Sequence, residues 1–128
     1  MKMTAEEFRE RFAKGKGPEG KQSANILTEQ VVRVARAYGV EAWRQNNLAP
    51  YDPRQRRFRK FNGRKGVADV IGILPDGRWF AAEVKAGRDT LSPEQRDFLE
   101  SVESSGGFAM CVRDIVEFEE KLRDYLYK

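Results

Sequence analysis

Apolar residues recur along this chain with two periods, and the change from one to the other marks out the elements. Leu27, Val31, Val34, Ala35 and Tyr38 stand three or four apart, which predicts a helix over about 24–38 that stops at Gly39. Val40 to Arg44 reads as a short strand. In "GVADVIGILPDGRWFAAEVKAG", residues 66–87, two apolar runs flank a turn, which predicts a β-hairpin. "SPEQRDFLESVESSGG" predicts a helix with Ser92 as N-cap, Pro93 in first position and Gln95 completing a capping box. "FAMCV" reads as a buried strand, and Asp114 with Glu117 opens a last helix reaching about Tyr127. Before all of these, Thr4 and Glu7 form another capping box, so residues 4–13 are expected to be a short helix with Phe8 and Phe12 on one side. The expected division is an N-terminal helix and linker over 1–22 and one folded domain over 23–128. The order helix, strand, strand, strand, helix, strand, helix describes an α/β sandwich with a mixed central sheet flanked by helices.

The turn of the hairpin sets its register. Pro75 suits the second position of a type I turn, Asp76 the third, and Gly77 the left-handed position that follows. Leu74 then faces Arg78, Asp69 falls directly across from Glu83, and Lys85 joins the same face two residues on. A two-residue Asp-Gly loop would instead place Asp69 across from Val84; the first register uses proline where proline is favoured.

Composition narrows the chemistry. At 128 residues the chain fits one domain, and 40% apolar with 34% charged residues is a soluble, globular balance. No apolar run is long enough for a membrane span, and "MKMTAEEFRERFAKGKG" lacks the apolar core of a signal peptide, so a cytoplasmic protein with no membrane partner is expected. There is no histidine, which excludes imidazole-based nucleophilic sites and Cys/His zinc sites. Catalysis here must use carboxylates, lysine, hydroxyls or a metal held by oxygen. The single cysteine, Cys111, lies in the apolar "GFAMCV" and is expected to be a buried core thiol.

Charge is concentrated. "PYDPRQRRFRKFNGRKG", residues 50–66, holds Arg54, Arg56, Arg57, Arg59, Lys60, Arg64 and Lys65 against one acid, Asp52. Such density on an otherwise balanced domain points to a polyanion partner, although a solvated loop would look the same. Phe58 and Phe61, set among the cations, could stack on bases or anchor the loop to the core. The length of the segment makes it functional or mobile rather than a simple connection.

Two ionised carboxylates facing each other at roughly 5 Å repel by about 3 kcal/mol at an effective dielectric of 20. Lys85 can offset part of this, and a divalent cation is the stronger partner because hard oxygen donors suit Mg2+ or Mn2+. The alternative is an edge hairpin whose solvent face holds two acids and a lysine in weak ion pairs. Ala81, Ala82 and Ala86 beside the charged trio would leave room for a phosphodiester and water. Loss of Asp69 is expected to leave folding nearly intact, since it relieves repulsion.

"GVADVIG", the spacer, "AAEVKAG", "LSPEQRDFL" and "GGFAMCV" together resemble the VRR-NUC branch of the PD-(D/E)XK nuclease superfamily. The resemblance spans roughly Leu27 to Val116, and what makes it specific is the ordered set rather than any one piece. It implies a restriction-endonuclease-like fold and a metal-dependent DNA endonuclease. Asp69 matches the motif aspartate, Glu83 and Lys85 the E-x-K pair, and Gln95 the glutamine of the following helix. Glu29 resembles the acid that many members place in the first core helix, although the periodicity puts it away from the apolar stripe. "WRQNN" resembles the family's Arg-x-Asn, so Arg44 and Asn46 are expected near the phosphate backbone. Ala68 stands where the superfamily name has proline.

The implied mechanism has Asp69, Glu83 and the Val84 carbonyl binding one or two Mg2+ or Mn2+ ions, Glu29 contributing directly or through water, and Lys85 orienting the attacking water or stabilising charge. Small standalone members, of phage or bacterial type, resemble Holliday-junction resolvases that act as homodimers, which implies a four-way junction as substrate. A flap or nicking endonuclease of the same chemistry, and a non-catalytic DNA-binding module, are the other readings.

Overall fold

The computed structural model describes residues 21–45, 51–59 and 63–128; the helix expected over 4–13, with Asn46, Lys60 and Phe61, lies outside them. The described elements are α1 (Lys21–Ala37), β1 (Glu41–Arg44), β2 (Tyr51–Asp52), β3 (Arg57–Phe58), β4 (Val70–Ile73), β5 (Trp79–Val84), α2 (Pro93–Ser104), β6 (Phe108–Val112) and α3 (Ile115–Leu126). A four-stranded sheet runs in the order β1-β4-β5-β6. The first two pairings are antiparallel and β5–β6 is parallel, with α2 as the crossover. The sheet is mixed and flanked by helices on both faces, the α/β architecture expected of a restriction-endonuclease-like fold.

One face carries the larger core. Val31, Val34, Ala35 and Tyr38 of α1 and its C-terminal turn meet Val70, Phe80, Ala82, Val84, Phe108 and Val112 of the sheet and Phe118 and Leu122 of α3. Phe80 stacks on Phe108 at 5.5 Å between centroids, and Phe118 meets both edge-on at 6.0 Å. Beneath this core Glu119 is wholly buried, accepting hydrogen bonds from the Tyr38 hydroxyl and from Arg123 Nη1, the latter at 3.1 Å. The second face is covered by Phe98, Leu99 and Val102 of α2, packed on Ala68 and Ala81. Trp43, Ile73 and Trp79, which share that face, are left exposed.

The hairpin of β4 and β5 forms the two central strands, because β1 and β6 pair along its outer sides, which excludes the edge-hairpin alternative. Three expectations are corrected. The basic segment is not plain loop: β2 and β3 make a two-stranded antiparallel ribbon within it, pairing Tyr51 with Phe58 and Asp52 with Arg57. Ala81 and Ala82 leave no room for substrate, since one packs under α2 and the other faces the larger core. Cys111 is half-buried rather than a core thiol, because strand alternation turns it to the α2 face.

Candidate active site

The site is built by the β4–β5 turn. Gly77 adopts φ 90, the Leu74 N–H donates to the Arg78 carbonyl at 2.8 Å, and the Gly77 N–H donates to Leu74 O at 2.8 Å. Gly77 takes the left-handed position at no steric cost, and the loop closes with the residue count the sequence predicts. Val70 therefore pairs with Ala82 and Ile73 with Trp79. One step beyond the ladder, Asp69 stands opposite Glu83. Its Oδ2 accepts the Val84 N–H at 2.9 Å, so this carboxylate also anchors the backbone of β5. Asp69→Ala would leave that donor without its acceptor, which makes asparagine the cleaner replacement.

Glu83 is only 3% exposed although it carries a carboxyl group. Burial and the neighbouring Asp69 charge push it up to about 8, with Lys85 opposing the rise. Its Oε1 accepts from Gln95 Nε2 at 3.1 Å and lies 3.8 Å from Lys85 Nζ. Among the described residues its buried Oε2 has no hydrogen-bond partner. A buried acceptor left in this state is costly, and a cation at the site would remove the cost.

Gln95 comes from the other side of the site. Ser92 caps α2 through the Gln95 N–H at 3.2 Å, and Gln95 Oε1 returns the contact by accepting the Ser92 N–H at 2.9 Å. With its oxygen held in the capping box, the amide nitrogen is aimed at Glu83. The capping contact and the contact with Glu83 are thus made by two ends of one side chain. The start of α2 is fixed in turn by Gly66, which sits at φ +85 so close that a Cβ would lie 2.4 Å from the Glu94 carbonyl carbon.

The VRR-NUC domain model matches residues 21–113, which takes in α1 through β6 and all of the residues just described. The chain belongs to the VRR-NUC family. No curated protein and no solved structure gives a match. A VRR-NUC chain is a nuclease domain of the PD-(D/E)XK superfamily, which acts on DNA and whose members generally use divalent metals. No helix among the described residues is long and apolar enough to cross a membrane.

The donor set at the candidate site fits such a metal: two carboxylates facing each other across the hairpin, one with an unpartnered buried oxygen. Among the described residues no three His, Cys, Asp or Glu side chains are grouped for a metal. Glu29 is exposed on α1 and is not gathered into a cluster with Asp69 and Glu83. Arg44, also exposed, donates to Asn25 Oδ1 at 2.7 Å. Arg54, Arg56, Arg57 and Arg59 are exposed on the ribbon; Arg64, with its guanidinium 5.1 Å from the Phe98 ring centre, and Lys65 are exposed on the return to β4.

Sequence reasoning passes over two residues that the sheet brings to this VRR-NUC site. The Gln45 N–H donates to Asp69 O at 2.7 Å, extending the β1–β4 register so that Gln45 stands beside Asp69. Cys111 pairs with Glu83 in the β5–β6 register. Gln45, Asp69, Glu83 and Cys111 thus form one row across four strands. Burial pushes the Cys111 thiol up, with Arg113 opposing the rise and the Asp69 charge adding to it, so it stands in this row as a neutral group at neutral pH. Glycine-x-x-aspartate and E-x-K motifs mark only the two central members. The outer two depend on strand pairings that no local signal encodes.

Proposed function

We propose that this VRR-NUC nuclease is a Mg2+- or Mn2+-dependent, structure-specific endodeoxyribonuclease, and that its substrate is a four-way junction cut by a homodimer. The observation that carries the metal-dependent reading is Glu83: a carboxyl group buried at the centre of a sheet, one oxygen without a partner, across from a second carboxylate. Burial of this kind is a liability in a purely structural sheet and an asset in a metal site.

Asp69, Glu83 and the Val84 carbonyl would hold the cation, with Glu29 contributing through water. A hard divalent ion there supplies Lewis-acid activation of the phosphodiester and of water. Gln95 fixes Glu83 Oε1, so the carboxylate does not rotate away as its charge changes. Lys85, 3.8 Å from that oxygen, orients the attacking water and offsets the negative charge that builds on the phosphate. Asp69 holds both its own site position and the β5 backbone. Arg44, Asn46, Arg54, Arg56, Arg57, Arg59, Lys60, Arg64 and Lys65 contact backbone phosphates, which positions the duplex without reading its sequence. Two copies give two opposed active sites, the geometry that paired cuts across a junction require.

The test is cleavage of a labelled four-way junction beside linear duplex, flap and single strand, in Mg2+ and in Mn2+, with wild type and Asp69→Asn. Paired metal-dependent cuts at the junction, absent from the variant, support a resolvase; sedimentation of the protein alone reads the dimer. Cleavage of flaps or nicked duplex keeps the chemistry and replaces the substrate. Tight binding without cleavage in either metal overturns the enzyme and leaves a DNA-binding module.

A further inference from the structure

The connection between β1 and β4 leaves the sheet at Gln45 and returns to it at Asp69, the two ends tied by the Gln45–Asp69 hydrogen bond at 2.7 Å. Within it stands the β2–β3 ribbon, and its side chains are unusual for a surface turn. Tyr51 and Phe58, paired across the ribbon, touch edge to face at 5.2 Å and are 54% and 70% exposed. Neither belongs to either hydrophobic core, so Phe58 does not anchor the segment.

A two-stranded ribbon this short needs a device to hold it. Asp52, buried on its inner side, provides one: Oδ1 accepts the N–H groups of Arg54 at 2.9 Å and Gln55 at 3.3 Å, and Oδ2 takes Arg59 Nε at 3.4 Å. Arg57 Nε donates to Gln55 Oε1 at 2.7 Å. Both arginines are held through Nε, and among the described residues neither engages its two terminal amino groups, the pair that meets a phosphate as a fork. Arg56 closes the turn at φ 52, a left-handed position where glycine would be easier, and so keeps another cation at the tip. Asp52, Gln55, Arg57, Phe58 and Arg59 line an open groove of about 530 Å³. That is room for one nucleotide, with an aromatic face for a base and guanidinium groups for its phosphate.

We propose that this ribbon captures an unpaired nucleotide, stacking its base on the Phe58–Tyr51 pair and holding the adjoining phosphate with Arg57 and Arg59. A continuous duplex, with every base stacked on its neighbours, offers phosphates but no free base face. DNA with a disrupted stack offers both, so the ribbon discriminates branched, flapped or bulged DNA from intact duplex. The inference rests on DNA being the substrate and extends the proposed structure-specificity to a physical cause.

The test uses the full chain in chelator, so that binding is read without cleavage. The probes are a labelled duplex with one unpaired thymidine and the same duplex with an abasic residue in its place. Wild type is expected to bind the thymidine form roughly 5- to 150-fold more tightly, the range of one base stacking on an aromatic side chain. Phe58→Ala should bring the two affinities to within about twofold and Phe58→Trp should restore the gap, both at an exposed position where folding is not at stake. Arg57→Gln should weaken both probes alike and reduce the salt slope by about 1. Equal affinities in wild type, or a gap that survives Phe58→Ala, would overturn the inference. Cleavage in Mg2+ by the same preparation is scored separately: discrimination without cleavage removes the nuclease assignment alone, and cleavage without discrimination removes the ribbon's role alone.

Discussion

Gln95 and Glu83 are joined by a hydrogen bond of 3.1 Å whose donor is immobilised at its other end by the cap of α2. A helix start thereby positions a buried carboxylate on a neighbouring strand, and the "AAEVKAG" and "LSPEQRDFL" stretches become one physical unit.

Gln95→Ala removes that positioning and half of the capping box together. The expected loss is about 10- to 100-fold in cleavage rate or metal affinity, as for other groups that orient a ligand, with about 1 kcal/mol of stability. Manganese titration followed by electron paramagnetic resonance separates the two, because a pure capping role lowers the melting temperature and leaves metal affinity unchanged.

Gly66→Ala is expected to be worse than its distance from the carboxylates suggests. The residue sits at φ +85 against the backbone of Glu94 and Gln95, so a methyl group must push the start of α2 away. Overpacking of this kind costs about 1–3 kcal/mol, and the displaced Gln95 should lower activity in the fraction that still folds. Normal activity together with an unchanged melting temperature would show that α2 is not held there.

The raised Glu83 pKa gives the metal-free protein a stability that depends on pH. A carboxyl group that titrates at about 8 when folded and near 4.5 when unfolded keeps its proton in the native state over that interval. The native state then binds more protons than the unfolded one, so this contribution is complete below about pH 4.5 and is lost as pH rises through about 8. Melting in chelator should fall over this range, and Glu83→Gln should flatten the fall. Mg2+ should raise the wild-type melting temperature most at the alkaline end, because an ionised Glu83 holds the cation.

Duplex binding should weaken with salt. If about five of the seven cations between Arg54 and Lys65 contact phosphates, log affinity falls with log salt at a slope near −4.5. A slope near zero in chelator would take this segment out of the DNA interface.

The Tyr38–Glu119 contact supports the fold from the side remote from the site. Among the described residues, Tyr38→Phe leaves Glu119 with Arg123 as its remaining hydrogen-bond donor and a second oxygen already unpartnered, so about 1–3 kcal/mol of stability should be lost with little change in cleavage per folded molecule. Chemical denaturation beside active-site titration reads both quantities.

What the sequence by itself determined was local. The helical spacing of Val31, Val34, Ala35 and Tyr38, the Ser92–Gln95 capping box and the Pro75–Asp76–Gly77 turn each involve residues a few positions apart. Because strand side chains alternate strictly, the turn alone was enough to put Asp69 across from Glu83. The start of α1 was less legible, at Lys21 rather than about residue 24, since Lys21, Gln22 and Ser23 carry no apolar signal. The tertiary structure decided what depends on pairing between distant segments: that the hairpin is central, that Glu83 is buried with one oxygen unpartnered, and that Gln45 and Cys111 complete its row. It also decided that the basic segment folds back as a ribbon with Phe58 turned outward. Local periodicity reports which face a residue takes, and burial adds what the rest of the chain lays against that face; it is this second quantity that turns a pair of acids into a candidate metal site.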